Sequence, residues 1–109
     1  VIVIGVRLTK LAESDLEEIV DYVLTASGVD RANNLLSEID SAFHLLAGAR
    51  GIGHERSDLA ADDIRFWVVH HYLIAYVIHN ERPVIVRILH GARSTVHIGD
   101  SLRDQDSTT

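Results

Sequence analysis

Three runs of β-branched and aromatic residues follow one another in the C-terminal half of this chain. They are IRFWVVH at 64–70, YLIAYVIH at 72–79 and VIVRILHG at 84–91. NERP at 80–83 gives a tight hairpin turn between the last two runs, and His70 and His71 mark the break between the first two. Because the runs are apolar at both alternating positions, they predict a sheet that must be covered on both faces.

The N-terminal half predicts one strand followed by two helices. The strand covers about residues 2–8, and Thr9 can cap a first helix that ends at Gly28. Asp30 can cap a second helix that runs to Gly48. Apolar residues recur at helical spacing in both helices: Ala12, Leu16, Ile19, Val20, Val23 and Leu24, then Ala32, Leu35, Leu36, Ile39, Phe43 and Leu46. The predicted fold class is therefore α+β: an N-terminal strand, a helical hairpin and three antiparallel strands, which form a mainly antiparallel sheet.

Length and composition predict a soluble protein of one domain. A chain of 109 residues cannot close two cores, so we expect a domain over 1–98 and a polar, disordered tail over 99–109. No apolar run approaches the ~20 residues of a membrane span, and the opening VIVIGV lacks the flanks of a secretory signal. The lack of cysteine suits the cytoplasm, where we expect the protein to act. Residues 47–63 predict a long connection in which Gly51 and Gly53 let the chain turn.

Charge is distributed unevenly along the chain. The net charge is -6, yet residues 1–63 carry five basic and twelve acidic groups, whereas residues 64–109 carry five basic and four acidic groups. The second part also holds five of the seven histidines, so an anionic partner should meet it. The first helix has an acidic outer face, which we interpret as solvated surface: Glu13, Asp15, Glu17, Glu18 and Asp21.

Neither a metal nor a cofactor is expected. His70 and His71 would point to opposite faces of an extended segment, and the other histidines lack ligand spacing. GARGIG at 48–53 resembles a phosphate loop only in its glycines, because it has no lysine and does not lead from a strand into a helix.

Four segments resemble a known family in their order and spacing. They are LTKLAESDLEEIVDYV at 8–23, HERSDL at 54–59, HHYLIAYVI at 70–78 and VRILHGARS at 86–94. Together they resemble the ParE branch of the RelE/ParE toxin superfamily over about residues 3–98. The resemblance implies the toxin of a bacterial type II toxin–antitoxin system, bound in a hetero-oligomer by a ParD-like antitoxin. It also implies a choice of target, because ParE-like toxins poison DNA gyrase whereas RelE-like relatives cut messenger RNA on the ribosome.

Gyrase inhibition by contact is the favoured activity, with no catalytic residues expected. LHGAR at 89–93 points to the ParE branch, and a ribosome-dependent nuclease would need more phosphate-binding lysines than Lys10 alone. The alternative is a RelE-like endoribonuclease, since RSTVH at 93–97 is similar to the end of some nucleases of that branch. Its catalytic set would be Arg65, Arg87, Arg93 and His97. A third possibility is an inactive, toxin-derived module that only binds the antitoxin.

Residues of the C-terminal half and of the helices are the expected contacts. The target contacts would be His90, Arg93, Ser94 and His97, although the family usually has aspartate at the position of Ser94. The antitoxin contacts would be Leu16, Ile19, Val23, Leu35, Tyr76 and Arg87. Two of these residues also have structural interpretations: His90 can simply end a strand, and Arg87 can pair with an acid of the helices.

Overall fold

In the part of the chain that the structure describes, the fold is a helical hairpin packed on one face of a six-stranded sheet. The computed structural model describes residues 2–3, 5–49, 53–55 and 63–90. Its elements are β1 (Ile2–Val3), β2 (Val6–Leu8), α1 (Lys10–Ser27), α2 (Val29–Gly48), β3 (His54–Glu55), β4 (Arg65–Val69), β5 (Tyr72–His79) and β6 (Arg82–His90). The strand order is β1-β2-β6-β5-β4-β3, in which β2 and β6 run parallel and the other neighbours antiparallel. The predicted α+β class and mainly antiparallel sheet are confirmed. The predicted tail, 99–109, lies outside the described residues.

The N-terminal strand is divided into two short strands, where the sequence predicted one. Gly5 has φ +82°, a value that glycine adopts without a steric penalty, and the chain reverses there so that β1 pairs antiparallel with β2. A Cβ atom on Gly5 would lie 2.6 Å from the Cβ of Ala47, so this turn packs directly against the end of α2. The β1–β2 hairpin therefore forms one edge of the sheet, next to the helices.

Thr9 caps α1 as predicted and also ties the helix to the sheet. Its side-chain oxygen accepts from the Ala12 N–H at 3.1 Å, while its hydroxyl donates to the Val86 carbonyl at 3.1 Å. The prediction of Asp30 as the cap of α2 was wrong. α2 begins at Val29, directly after Gly28, so Asp30 lies in the first helical turn, where its charge favours the helix dipole.

Both faces of the sheet are buried over much of their area. The helices cover a main cluster built around Tyr76, Ile39, Leu46, Ile74, Ile85 and Ile88, which are each 0–1% exposed. The opposite face carries a second cluster with Ile64, Phe66, Leu73 and Ala75, which are 0–8% exposed. The sequence prediction that each face needs a cover therefore holds for these positions. No described helix is long and apolar enough to cross a bilayer.

A bulge in β6 decides what its last residues face. Tyr76 pairs with Ile85 and Ala75 pairs with Arg87, so Val86 is an extra residue between two ladder positions. Beyond this point the alternation shifts by one residue, which turns the Ile88 side chain toward the helices. The β2 ladder stops with Leu8 opposite Ile85, so no described strand lies beside the last part of β6. α1 occupies that side instead.

Candidate functional site

An ion pair joins α1 to the open edge of β6. The Arg87 guanidinium donates twice to the Asp15 carboxylate, from Nε at 2.7 Å and from Nη2 at 3.1 Å. The Ile88 backbone N–H donates to the same carboxylate at 3.0 Å. The prediction that Asp15 belongs to the solvated face of α1 was wrong, because the residue is only 8% exposed. The carboxylate takes the N–H that a neighbouring strand would otherwise bind, so we call these three residues the edge clamp.

A groove lies between α1 and the end of β6, beside the edge clamp. Its volume is about 460 Å³, and its lining is Asp15, Glu18, Ile19, Tyr22, Tyr72, Arg87, Ile88, Leu89 and His90. We call it the α1–β6 groove. The α1 wall carries the exposed carboxylate of Glu18 and, one turn later, the exposed ring of Tyr22. The other wall is strand backbone and aromatic rings, so the groove offers hydrogen-bonding, apolar and acidic surface together.

Aromatic rings close one end of the α1–β6 groove. The His90 ring meets Tyr72 edge-on at 5.3 Å between centroids and stacks on His71 at 6.2 Å. His90 Nδ1 is buried and has no hydrogen-bond partner within the described part of the chain. His90, a predicted target contact, is thus a half-buried residue at the point where β6 ends. Its predicted contact with a target stays a prediction.

The predicted antitoxin contacts are spread over three surfaces and the core. Ile19 lines the α1–β6 groove, and Val23 lines a neighbouring groove with His70, whose ring contacts Glu38. Leu16 lines an outer groove of the hairpin with Val20, Leu36, Glu17 and Asp21. Leu35 and Tyr76 are core residues, at 8% and 0% exposure, so direct contact through them is not supported. Sequence periodicity marked them as apolar but could not separate core from surface.

Tyr76 anchors the connection between α2 and β4. The Gly53 N–H donates to its hydroxyl oxygen at 2.8 Å, and Arg65 Nη1 donates to the Gly53 carbonyl at 3.0 Å. Burial raises the pKa of Tyr76, an effect that the Gly53 hydrogen bond and the Arg65 charge partly oppose. A side chain on Gly53 would overlap the Tyr76 hydroxyl. Gly53 therefore serves close packing as well as the predicted turn, and β3 beside it is a short strand that the sequence did not predict.

The predicted nuclease residues do not converge in the described part of the chain. Arg65 lies on β4 opposite Tyr76, whereas Arg87 lies on β6 opposite Ala75, so β5 separates the two arginines. Each guanidinium is bound internally, Arg65 by the Gly53 carbonyl and Arg87 by Asp15. The pairing of Arg87 with a helical acid, one of the two predicted alternatives, is confirmed. Arg93, Ser94 and His97 lie outside the described residues.

No group of three or more histidine, aspartate and glutamate side chains in the described ranges could hold a metal ion. The paired His70 and His71 illustrate the reason, because His70 contacts Glu38 while His71 stacks on His90. The side chains of His70 and His71 therefore point in different directions at the turn between β4 and β5.

A family comparison decides the relationship of the chain. The family model described as the ParE toxin of the type II toxin–antitoxin system parDE matches residues 6–95, which include every element from β2 to β6. The chain belongs to the ParE toxin family. The resemblance predicted from the sequence is thereby confirmed. No curated protein is similar enough to count as a match to this ParE-family toxin.

A solved structure shares the fold of this ParE-family toxin. Its title is "Chromosomal ParDE TA system from P. aeruginosa", and it is 18% identical, with a TM-score of 0.67. The alignment covers 79% of this chain and 94% of that chain. At this identity the similarity establishes the shared fold.

Proposed function

We propose that this ParE-family chain inhibits DNA gyrase by contact and is neutralised by a ParD-like antitoxin encoded beside it. Inhibition would occur in the cytoplasm and would arrest growth. Two findings support the proposal: the family match over residues 6–95, and the fold shared with a chain from a ParDE system. Toxin and antitoxin would form a hetero-oligomer.

The edge clamp is the observation that favours contact over hydrolysis. Cleavage of RNA requires cations that are available to stabilise the charge developing at phosphorus. Arg87 of the predicted nuclease set donates instead to Asp15, and its side chain is only 14% exposed. The single lysine of the chain, Lys10, and the net charge of -6 also disfavour binding to ribosomal RNA. We therefore keep the nuclease as the alternative.

Arg93 is the proposed centre of the target contact, together with His90, Ser94 and His97. The planar guanidinium can bind a carboxylate or a DNA phosphate through two hydrogen bonds at once, which an ammonium group cannot copy. β6 is paired on both sides at Val84 and Ile85, and beyond them it is held by β5 and the edge clamp. It therefore gives the residues after His90 a rigid starting point.

Supercoiling assays with purified gyrase test the proposal directly. We expect the unaltered toxin to block supercoiling and accumulate cleaved DNA–gyrase complexes, and Arg93→Ala to abolish both effects. Arg103→Ala is the matched control, because it removes the same side chain from the polar tail and should leave inhibition unchanged. Circular dichroism would verify that the variants fold.

Translation assays address the alternative. If purified gyrase is unaffected while ribosome-bound messages are cut, and His97→Ala stops the cutting, the nuclease interpretation is correct. If neither assay responds although the antitoxin binds, the chain is an inactive antitoxin-binding module.

Neutralisation is tested by co-expression with the protein encoded by the neighbouring gene. We expect the two chains to elute together in size-exclusion chromatography and the complex to leave gyrase active. Apolar side chains on the outer surface of the helical hairpin suit an amphipathic segment of such a partner: half-buried Leu16 and Val20, and exposed Leu24 and Leu36. A toxin that stays monomeric beside its neighbour would contradict this part of the proposal.

A further inference from the structure

We propose that the α1–β6 groove binds an extended, basic segment of the antitoxin, which pairs with the edge of β6 and places an arginine or lysine beside Glu18. This inference rests on the proposed function, because it takes the antitoxin as the partner. It goes further by assigning the groove, the backbone pairing and the charge of the bound segment.

The backbone of β6 presents an open edge in this groove. Ile88 donates its N–H to Asp15, which places that N–H on the side away from β5. Backbone groups alternate along a strand, so the amide of His90 points to the same side as that of Ile88. No described strand pairs with β6 beyond Ile85 on this side. The Ile88 carbonyl and the His90 amide can therefore bind the backbone of an added strand.

Charge selects the kind of segment that fits. α1 carries five acidic residues against one lysine, Lys10. Asp15 is neutralised by Arg87, so Glu18 is the acidic group that the groove leaves available, and Glu18 forms no ion pair within the described part of the chain. A cation that enters the groove would lie near this carboxylate and near Tyr22 and Tyr72, whose aromatic rings can also attract cations. A basic residue is the occupant that uses all three groups.

A second copy of this chain suits the groove less well. A copy that docked through its own α1–β6 groove would bring another acidic α1 toward the first, and like charges across an interface oppose association. The volume of about 460 Å³ is in the range of sites that bind a small group, which suits one long side chain of an extended segment.

Charge reversal at two acidic positions of the helices tests the inference. Glu18→Lys should weaken binding of the antitoxin from the neighbouring gene at least about tenfold, because it sets two like charges together in the groove. Asp40→Lys is the matched control: the same change at an exposed acid of α2, which lines none of the three grooves, should weaken binding by less than about threefold. Titration calorimetry gives both values, and circular dichroism would verify that both variants fold. Equal affinities for Glu18→Lys and Asp40→Lys would overturn the inference and leave the proposed function standing.

A compensating change in the partner identifies the contact. In the antitoxin, each arginine and lysine is replaced in turn by glutamate and titrated against the Glu18→Lys toxin. We expect one of these variants to recover most of the lost affinity, as a directly paired charge does. Recovery by none of them would contradict the inference. A neighbouring protein that does not bind the unaltered toxin would overturn both the inference and the proposed function.

Hydrogen exchange tests the backbone pairing. We expect the His90 amide to become at least about tenfold slower to exchange on addition of the antitoxin, as it gains a strand partner. The Ile88 amide, already held by Asp15, should change much less. An unchanged His90 amide would refute strand addition. If that amide exchanges slowly in the free toxin and exchanges fast after truncation behind Gly91, the C-terminal residues of this chain pair with the edge of β6. That result would overturn the inference.

Discussion

Replacing Asp15 by asparagine should destabilise the domain more than any other single change on the polar face of α1. The side chain keeps its size and one carbonyl oxygen, but it loses the charge that compensates Arg87. Both partners are shielded from solvent, since their side chains are 14% and 10% exposed. The ion pair is therefore only weakly screened, unlike a surface pair, whose contribution is about 0–1 kcal/mol.

The magnitude follows from the three hydrogen bonds that the carboxylate accepts. Removing one partner of a buried ion pair typically costs about 3–5 kcal/mol, because the other charge is left uncompensated. The remaining amide oxygen can still accept from the Ile88 N–H or from Arg87, which recovers about 1 kcal/mol. We therefore expect a loss of about 2–4 kcal/mol, or a fall in Tm of roughly 8–20 °C for a domain of this size.

Urea titration followed by circular dichroism measures the loss. Asp21→Asn on the exposed side of α1 is the matched control and should stay within about 0.5 kcal/mol of the unaltered chain. The double variant with Arg87→Met should lose less than the sum of the single variants, with a coupling of about 1 kcal/mol or more. A loss below about 0.5 kcal/mol for Asp15→Asn would refute the argument that the edge clamp holds β6.

Three further predictions concern stability alone. Gly53→Ala should destabilise by about 1–3 kcal/mol in urea titration, since the methyl group overlaps the Tyr76 hydroxyl, whereas Gly48→Ala, whose Cβ meets no atom within 4 Å, should be neutral or stabilising. Thr9→Val should cost about 1–2 kcal/mol in the same assay through the lost cap, and exposed Thr25→Val much less. Burial raises the pKa of Tyr76 above 10.0, so the tyrosine of the unfolded chain ionises first and stability should fall as pH rises above about 10. Tyr76→Phe should reduce this fall in thermal melts at alkaline pH. The same pH dependence in both proteins would contradict the assignment.

Local patterns predicted most of the fold. The cap at Thr9, the end of α1 at Gly28 and the hairpin between β5 and β6 each depend on residues close in sequence, and each lies where it was expected. Asn80 and Glu81 both have positive φ, so the turn has two residues and β6 begins at Arg82, before Pro83. The reversal at Gly5 was missed because VIVIGV shows no sequence break apart from one glycine.

The candidate site depends on contacts between distant residues, which explains why less of it was predicted. Periodicity placed Asp15 among the acids of the outer face, and nothing local distinguishes it from Glu17 or Glu18. The distinction comes from the bulge at Val86, which turns the Ile88 N–H toward α1. A charge within an apolar strand was the available signal, and it did predict a carboxylate partner for Arg87. This signal could not identify which acidic residue is the partner of Arg87.

The distance along the chain between Asp15 and Ile88 also affects when a newly made toxin can fold. These residues are 73 positions apart, and Thr9 and Val86 are 77 apart, so neither contact can form until β6 has been synthesised. At roughly 5–20 residues per second, a ribosome needs about 4–15 s to pass from one clamp residue to the other. During that interval α1 has no completed strand edge to dock on. The contacts that join α1 to the sheet therefore form only after β6 has left the ribosome.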